Sequence, residues 1–179
     1  MNILVESSFS DRVEEQILKN NWEMYDFINK QFRERIPPKH FYKLNLKIKE
    51  LEGKLERKSL EVNGELDEDE FIARTKLSED PEDPYDCEVM LNYFDIKREY
   101  NKKTSFINML IQEGKINSIK DTYYFLLFHE LGHVITFYNN FDNYLEVING
   151  EREYIFDDEN FGEFKACKIS EELLFDWQN

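Results

Sequence analysis

The longest regular pattern in the chain is an apolar stretch that runs from Ile119 to Tyr138 without a proline and with a single glycine. Its hydrophobic side chains fall on nearly every face of a helix, which is typical of a buried helix. Ser118 and Asp121 have the spacing of a capping box at its start. Asn139 and Asn140 can end it, because asparagine tolerates the left-handed conformation. We therefore predict a buried helix over 119–138.

Shorter patterns precede this helix. Apolar residues recur over 10–32 with a period of about 3.6, and two prolines follow, which predicts an amphipathic N-terminal helix. Apolar and polar residues then alternate in short runs, which predicts a strand-rich region over 41–112. Asn63 and Gly64 indicate a turn within it. The runs that predict strands are 42–48, 71–77, 87–94 and 104–111, and a short helix is the alternative for the last.

Two further elements are predicted after the long helix. Asn149 and Gly150 separate two apolar runs and predict a hairpin over 144–156. Asp157 and Asp158 can cap a last helix over 159–177. Neither a linker nor a repeat divides the sequence. We expect one domain over 1–179, of the α+β class, with a small and mostly antiparallel sheet between the helices.

Composition limits the partners that this chain can have. Aromatic residues make up 15% of it, which is too many for a disordered chain, and its formal net charge is -15. Such a charge repels nucleic acid and anionic membranes and favours basic partners. Cys87 and Cys167 form neither a disulfide framework nor a zinc-finger pattern. Since we also find no leader peptide and no membrane-length apolar run, we predict a cytoplasmic protein.

The candidate chemistry lies inside the long helix, in the motif H-E-x-x-H. His129 and His133 are four residues apart, and a helix places such positions on one face, where two imidazoles can bind one metal ion. Glu130 is rotated by about 100° and points beside that ion, where a carboxylate can take a proton from water. Burying these groups without a partner would be costly. The glycine between the histidines, Gly132, would let another backbone come close.

A catalytic zinc site usually takes three protein ligands and leaves one position open. No histidine follows His133, so we expect the third ligand to come from the last helix. Its candidates are Glu159, Glu163, Cys167, Glu171 and Glu172. We favour Glu163, because it begins a stripe of small residues, such as Ala166, that would allow a close helix–helix approach. Glu159, one turn earlier, is the main alternative.

The sequence around these residues resembles a known family, the ImmA/IrrE-type zinc metallopeptidases. Their active-site motif is similar to 128–133, and a short Ile-Asn segment before it looks like Ile116 and Asn117. Their C-terminal pattern, E-x-x-A-N-x-F-A-x-E-L-L, resembles 163–174 in its first Glu, its Ala and its closing Glu-Leu-Leu. The chain departs from it with Cys167 in place of Asn, and with Phe137 and Tyr138 where a His often follows the motif.

This resemblance implies a minimal zincin-like domain of the gluzincin type. The resemblance also implies that His129, His133 and Glu163 bind Zn²⁺ and that Glu130 is the catalytic base of peptide-bond hydrolysis. Members of the family act on transcriptional repressors or related regulators, often in phages or other mobile elements. A repressor-like protein substrate is therefore the expected partner. Some relatives have lost proteolysis and keep only a binding role.

Other parts of such a site are less specified by the sequence. A second donor usually stabilises the oxyanion, and the candidates are Tyr138, Tyr144, Arg152 and Tyr154. We expect the substrate to lie extended along the edge of the strand predicted over 104–111. His40 is distant from the motif in sequence, and we expect it to be a structural or surface residue.

Two other functions compete with peptide hydrolysis. The acidity of the chain fits a non-proteolytic binding or inhibitor protein on a zincin scaffold, with a basic or DNA-binding partner. Glu130 argues against this, because a purely structural zinc gives that carboxylate no role. An antirestriction-type zincin acting around DNA is the third hypothesis, and the net charge of -15 argues against direct phosphate contact.

Overall fold

The computed structural model describes residues 1–7, 18, 21–51, 61–62, 65–66, 72–78, 80, 83–148 and 162–179. They form a mixed α+β fold, as predicted, with one small sheet and several helices. The strands are β1 (Asn2–Ser7), β2 (Asn45–Leu51), β3 (Glu61–Val62), β4 (Glu65–Leu66), β5 (Ala73–Leu77) and β6 (Asp86–Asn92). The helices are α1 (Trp22–Arg35), α2 (Pro38–Phe41), α3 (Tyr93–Lys102), α4 (Ser105–Gln112), α5 (Ile119–Asn139), α6 (Phe141–Ile148) and α7 (Glu163–Gln178).

The four-stranded sheet has the order β1-β2-β6-β5. The prediction of a mostly antiparallel sheet is wrong, because β1, β2 and β6 run parallel and only β5 is antiparallel to its neighbour. Parallel neighbours need a long crossover connection, and α1 with α2 supplies one between β1 and β2. The predicted turn at Asn63 and Gly64 lies outside the described residues, but β3 and β4 on either side of it do pair antiparallel.

The sheet buries one face and leaves the other open. Ile48, Val89 and Leu91 belong to the hydrophobic core, whereas Lys47 and Lys49 lie on the opposite face. The open face carries a concavity of about 810 Å³ over the beginnings of β1, β2 and β6. The described helices therefore pack on the buried side of the sheet, and α5 contacts both β5 and β6 there.

Several helix boundaries differ from the predicted ones. The N-terminal helix begins at Trp22 after its cap, Asn21, and ends at Arg35 instead of covering 10–32, of which 10–17 and 19–20 are not described. The predicted strand over 87–94 ends at Asn92, because the Asn92 side chain accepts a hydrogen bond from the Asp95 backbone and starts α3. α3 itself was not predicted.

The strand favoured over 104–111 is wrong and the short-helix alternative is confirmed, because this segment is α4. Ile107 and Leu110, three residues apart, are buried on one side of the helix, while Phe106 and Met109 are exposed. That spacing belongs to a helix and not to a strand. The predicted end is confirmed: Glu113 caps α4, and Gly114 follows with a φ of 71°.

The first arm of the hairpin predicted over 144–156 is also wrong, because it belongs to α6. Phe141 at the start of α6 packs on the rings of Tyr138 and His40, which continues the core along a helix. Residues 149–161 are not described, so the second arm and the predicted caps Asp157 and Asp158 lie outside the description. α7 begins at Glu163, with Gly162 as its cap.

The central helix α5 is predicted correctly. The Asp121 backbone donates to Ser118 Oγ at 3.0 Å, and the Asn117 backbone donates to the Asp121 carboxylate at 2.9 Å. The far end is capped by Asn140, but through its side-chain amide, which donates to the Thr136 carbonyl, and with a φ of -121° rather than a left-handed backbone. Most α5 side chains are buried. None of the helices in the described part of the chain is both long and apolar enough to cross a lipid bilayer.

Candidate metal centre

The candidate site is built where α7 crosses α5 at very short range. A Cβ atom placed on Gly132 would lie 2.9 Å from the Ala166 carbonyl oxygen and 3.1 Å from the Ala166 Cα. Only a glycine fits such a contact between two helix backbones. The predicted close approach is therefore present, and it lies between the two histidines on α5 and one turn beyond Glu163 on α7.

Three potential ligand residues converge beside this crossing. His129 Nε2 lies 2.9 Å from one carboxylate oxygen of Glu163, and His133 Nε2 lies 3.5 Å from the other. The two Nε2 atoms are 3.2 Å apart. The side chains of His129 and His133 are 12% and 22% exposed, whereas that of Glu163 is 80% exposed. The cluster thus has a buried floor of two imidazoles and opens to solvent on the Glu163 side.

This donor set fits the size of a zinc ion. A tetrahedral ion with bonds of about 2.0–2.1 Å holds its ligand atoms about 3.3–3.4 Å apart. The two imidazole nitrogens are 3.2 Å apart, close to that value, and the three candidate ligand atoms, one from each residue, all lie within 4.8 Å of one another. Two imidazoles and one carboxylate also match the ligand types of a catalytic zinc site with one open position.

Burial keeps the two histidines in the form that binds metals. Desolvation lowers the pKa of His129, although the negative charge of Glu163 raises it in part. Desolvation also lowers the pKa of His133, and the neighbouring His129 lowers it further. Both imidazoles are therefore neutral at neutral pH, with a lone pair available for a cation.

Glu130 lies next to these ligands and is held from the sheet. Its side chain is buried, and Thr75 Oγ1 on β5 lies 2.6 Å from Glu130 Oε2 and 3.0 Å from the Glu130 backbone carbonyl. Burial raises the pKa of Glu130 to about 7. The negative charge of Glu163 also raises this pKa, whereas the hydrogen bond from Thr75 lowers it. A carboxyl group with a pKa near neutrality is suited to accept and return a proton.

Thr75 is the residue of this site that the sequence analysis missed. It lies 55 residues before Glu130. The predicted alternation over 71–77 already placed Thr75 on the same strand face as Ala73 and Leu77, so its inward direction could have been derived. The identity of its partner could not, because that depends on how α5 packs on β5.

Cys167 contacts His129 from the side that faces away from the cluster. Its Sγ atom lies 3.5 Å from His129 Nδ1, whereas the cluster is formed by His129 Nε2. Cys167 therefore touches a ligand candidate without being one of the converging atoms. A metal-binding histidine usually donates its second N–H to a carboxylate, a backbone carbonyl or water, and here the Cys167 sulfur, a weak acceptor, lies at that position. Burial raises the pKa of the Cys167 thiol, so it meets the ring as a thiol.

The remaining candidates separate into three groups. Glu171 and Glu172 form ion pairs with Lys115 and Arg35 and lie outside the cluster. The prediction of Tyr138 as an oxyanion donor is wrong, because this residue is buried and its hydroxyl donates to the Pro84 carbonyl at 2.9 Å. Outside the described residues lie Arg152, Tyr154, Glu159 and the side chain of Tyr144.

His40 is a structural residue, as expected. It is buried, its ring packs at a tilt of 43° against Phe141 with centroids 4.3 Å apart, and its Nδ1 lies 3.3 Å from the Tyr85 hydroxyl. Burial lowers its pKa. Its ring belongs to an aromatic cluster with Tyr85 and Tyr138 and takes no part in the metal cluster.

The helix crossing can be tested with Gly132→Ala. Helix propensity alone would favour alanine by about 1 kcal/mol. The added methyl group would instead press on backbone atoms of Ala166, and overpacking of this kind costs about 1–3 kcal/mol. Because backbone atoms cannot rotate away, we expect a lower free energy of unfolding in a urea titration. We also expect the variant to retain less zinc than the wild type.

The double variant Gly132→Ala/Ala166→Gly is the matched control. It removes the Ala166 side chain but keeps the carbonyl oxygen and the Cα that the new methyl group would meet. We therefore expect no rescue, with a coupling energy below about 0.5 kcal/mol. Full rescue would mean that the two helices meet through side chains, contrary to the contact described above.

Comparison of this chain with protein-family models, with characterised proteins and with solved structures finds no match in any of the three. The resemblance to the ImmA/IrrE-type metallopeptidases therefore stays a prediction based on the residues quoted above. The geometry of the His129, His133, Glu163 and Glu130 side chains is the structural basis for a function.

Proposed function

We propose that this protein is a zinc-dependent metallopeptidase with a zincin-like active site. His129, His133 and Glu163 are the ligands, and Glu130 is the catalytic base. The observation that carries this proposal is the convergence of two imidazole nitrogens and a carboxylate next to a second, buried carboxylate. Structural ion pairs on a protein surface do not combine these features.

A zinc ion bound there would act as a Lewis acid that acidifies water and polarises a carbonyl group. The protein contributes the proton transfers. As water adds to the scissile carbonyl carbon, Glu130 takes one of its protons. When the C–N bond breaks, Glu130 returns that proton to the leaving amine. Thr75 holds the carboxylate in place through both steps by its 2.6 Å hydrogen bond.

The substrate is best placed along β5, which replaces the segment 104–111 as the expected edge strand. Among the described strands, β5 is at the end of the order β1-β2-β6-β5 and pairs with β6 alone. The Asn92 backbone donates to the Ile72 carbonyl, so by alternation the backbone groups of residues 73, 75 and 77 face away from β6. An extended peptide can pair with these groups and pass Glu130 at the level of Thr75.

By the resemblance, the natural substrate is a regulatory protein such as a transcriptional repressor. The acidic character of the chain favours a second candidate, a non-proteolytic protein that binds a basic or DNA-binding partner. The two candidates share the scaffold and differ in whether Glu130 is needed.

The ligand set is tested by measuring retained zinc. After exposure to excess Zn²⁺ and desalting, we expect about one zinc per chain by elemental analysis. His129→Ala and Glu163→Gln should retain less than about a fifth of that, because two protein ligands do not hold zinc firmly. Glu172→Gln, which removes a carboxylate on the same helix that pairs with Arg35, should retain all of it.

Two results of the zinc measurement would change the proposed ligand set or the proposed function. Full zinc retention in Glu163→Gln would move the third ligand to Glu159 or Cys167. A wild-type chain that retains no zinc would contradict the metallopeptidase proposal itself.

The role of Glu130 is tested with Glu130→Gln. The amide keeps the shape of the side chain but cannot accept the proton, so we expect full zinc retention and a loss of about 10²–10⁴-fold in hydrolysis of a proteome-derived peptide mixture. Glu171→Gln, which removes a carboxylate outside the cluster, should hydrolyse like the wild type. Hydrolysis that survives Glu130→Gln would exclude this residue as the base. A zinc-loaded wild type without hydrolysis would favour the binding protein.

A further inference from the structure

Two cations on β5 differ from the other cations of the sheet. Arg74 and Lys76 are exposed on the open face, and among the described residues no carboxylate lies within ion-pair distance of either. On the same face, Lys47 pairs with Glu6 at 2.9 Å and Lys49 pairs with Glu88 at 2.6 Å. The two lysines of β2 are thus paired with carboxylates, whereas, within the described residues, the two cations of the edge strand β5 are not.

The register explains why the sheet cannot supply the missing partners. Arg74 lies opposite Met90, which has no charge, and Lys76 lies opposite Glu88. Glu88 is already engaged by Lys49 from β2. Within the described part of the chain, the remaining neighbour position along this face is the one beyond the outer edge of β5.

The two cations also flank the contact between β5 and the candidate base. Thr75 lies between them in sequence, faces the opposite side of the strand, and holds Glu130 at 2.6 Å. A peptide strand that pairs with the free edge at Thr75 would therefore run past Arg74 and Lys76 as well.

We propose that β5 selects peptide segments that carry acidic side chains at two alternate positions. This inference rests on the proposed function, because it concerns the substrate of the same site. On adjacent strands, same-face side chains lie about 4.5–5.5 Å apart at the Cβ atoms, so glutamates or aspartates of an added strand come within ion-pair reach of Arg74 and Lys76. The substrate is an extended acidic segment, although the protein that contains it can be basic elsewhere.

The net charge of -15 does not oppose this selection. At physiological ionic strength the Debye length is about 8 Å, so distant carboxylates are largely screened. An ion pair formed across the strand edge is much shorter than that. The local sign of the charge therefore decides which side chains are preferred at these positions, while the total charge affects mainly the rate of encounter.

The test uses three short labelled peptides that alternate threonine with glutamate, glutamine or lysine. Their binding to zinc-loaded Glu130→Gln protein is measured by fluorescence anisotropy, so that cleavage does not interfere. We expect the glutamate peptide to bind about three- to tenfold more tightly than the glutamine peptide, and the lysine peptide to bind most weakly. Raising the salt concentration should reduce this preference.

Charge reversal at the edge, Arg74→Glu/Lys76→Glu, should invert the order of the peptides. The matched control is Lys30→Glu/Lys102→Glu, which changes the net charge equally at exposed positions on α1 and α3 and should leave the order unchanged. Equal affinities, absent binding of all three peptides, or an inversion in the control as well would each overturn the proposal.

The same protein without zinc separates this inference from the proposed function. If the chain retains no zinc but prefers the glutamate peptide, selection of acidic segments by β5 is supported and the metallopeptidase proposal is contradicted. A zinc-loaded, hydrolytically active chain without the preference would support the peptidase and contradict selection by Arg74 and Lys76.

Discussion

The backbone contact between Gly132 and Ala166 is the constraint on which the rest of this structure depends. It brings two helices closer together than any side chain at position 132 would allow. The consequence is that Glu163, one turn before Ala166, reaches both imidazoles of α5 with its carboxylate. A wider crossing would separate the Glu163 carboxylate from the two largely buried imidazoles, which is a costly arrangement.

A second contact joins the helix pair to the sheet. The hydrogen bond from Thr75 to Glu130 places a buried carboxylate at the free edge of β5 and beside the two histidines. The same edge exposes Arg74 and Lys76 on the other side of the strand. In the proposed function, proton transfer and peptide selection therefore use opposite faces of one short strand, with Thr75 between Arg74 and Lys76 in sequence.

Local patterns predicted the features that local physics determines. The cap at Ser118 and the buried length of α5 follow from side chains within a few turns of one another. The close approach at Gly132 and the position of Glu163 beside the histidines depend on how α7 packs on α5, and the role of Glu163 as third ligand stays a proposal. Strand direction was predicted wrongly, because it depends on which distant strands pair and on the crossover through α1. The segments 104–111 and 144–148 were assigned to strands because short apolar runs do not distinguish a strand from a helix.

The central claim is that one zinc ion is held by two imidazole nitrogens and one carboxylate where α5 and α7 cross. X-ray absorption at the zinc edge of the reconstituted wild-type protein tests it most directly. We predict a first shell of nitrogen and oxygen atoms at about 2.0–2.1 Å that includes two imidazoles and no sulfur. A zinc–sulfur distance of about 2.3 Å would make Cys167 a ligand. That result, or a shell with fewer than two imidazoles, would contradict the site described here.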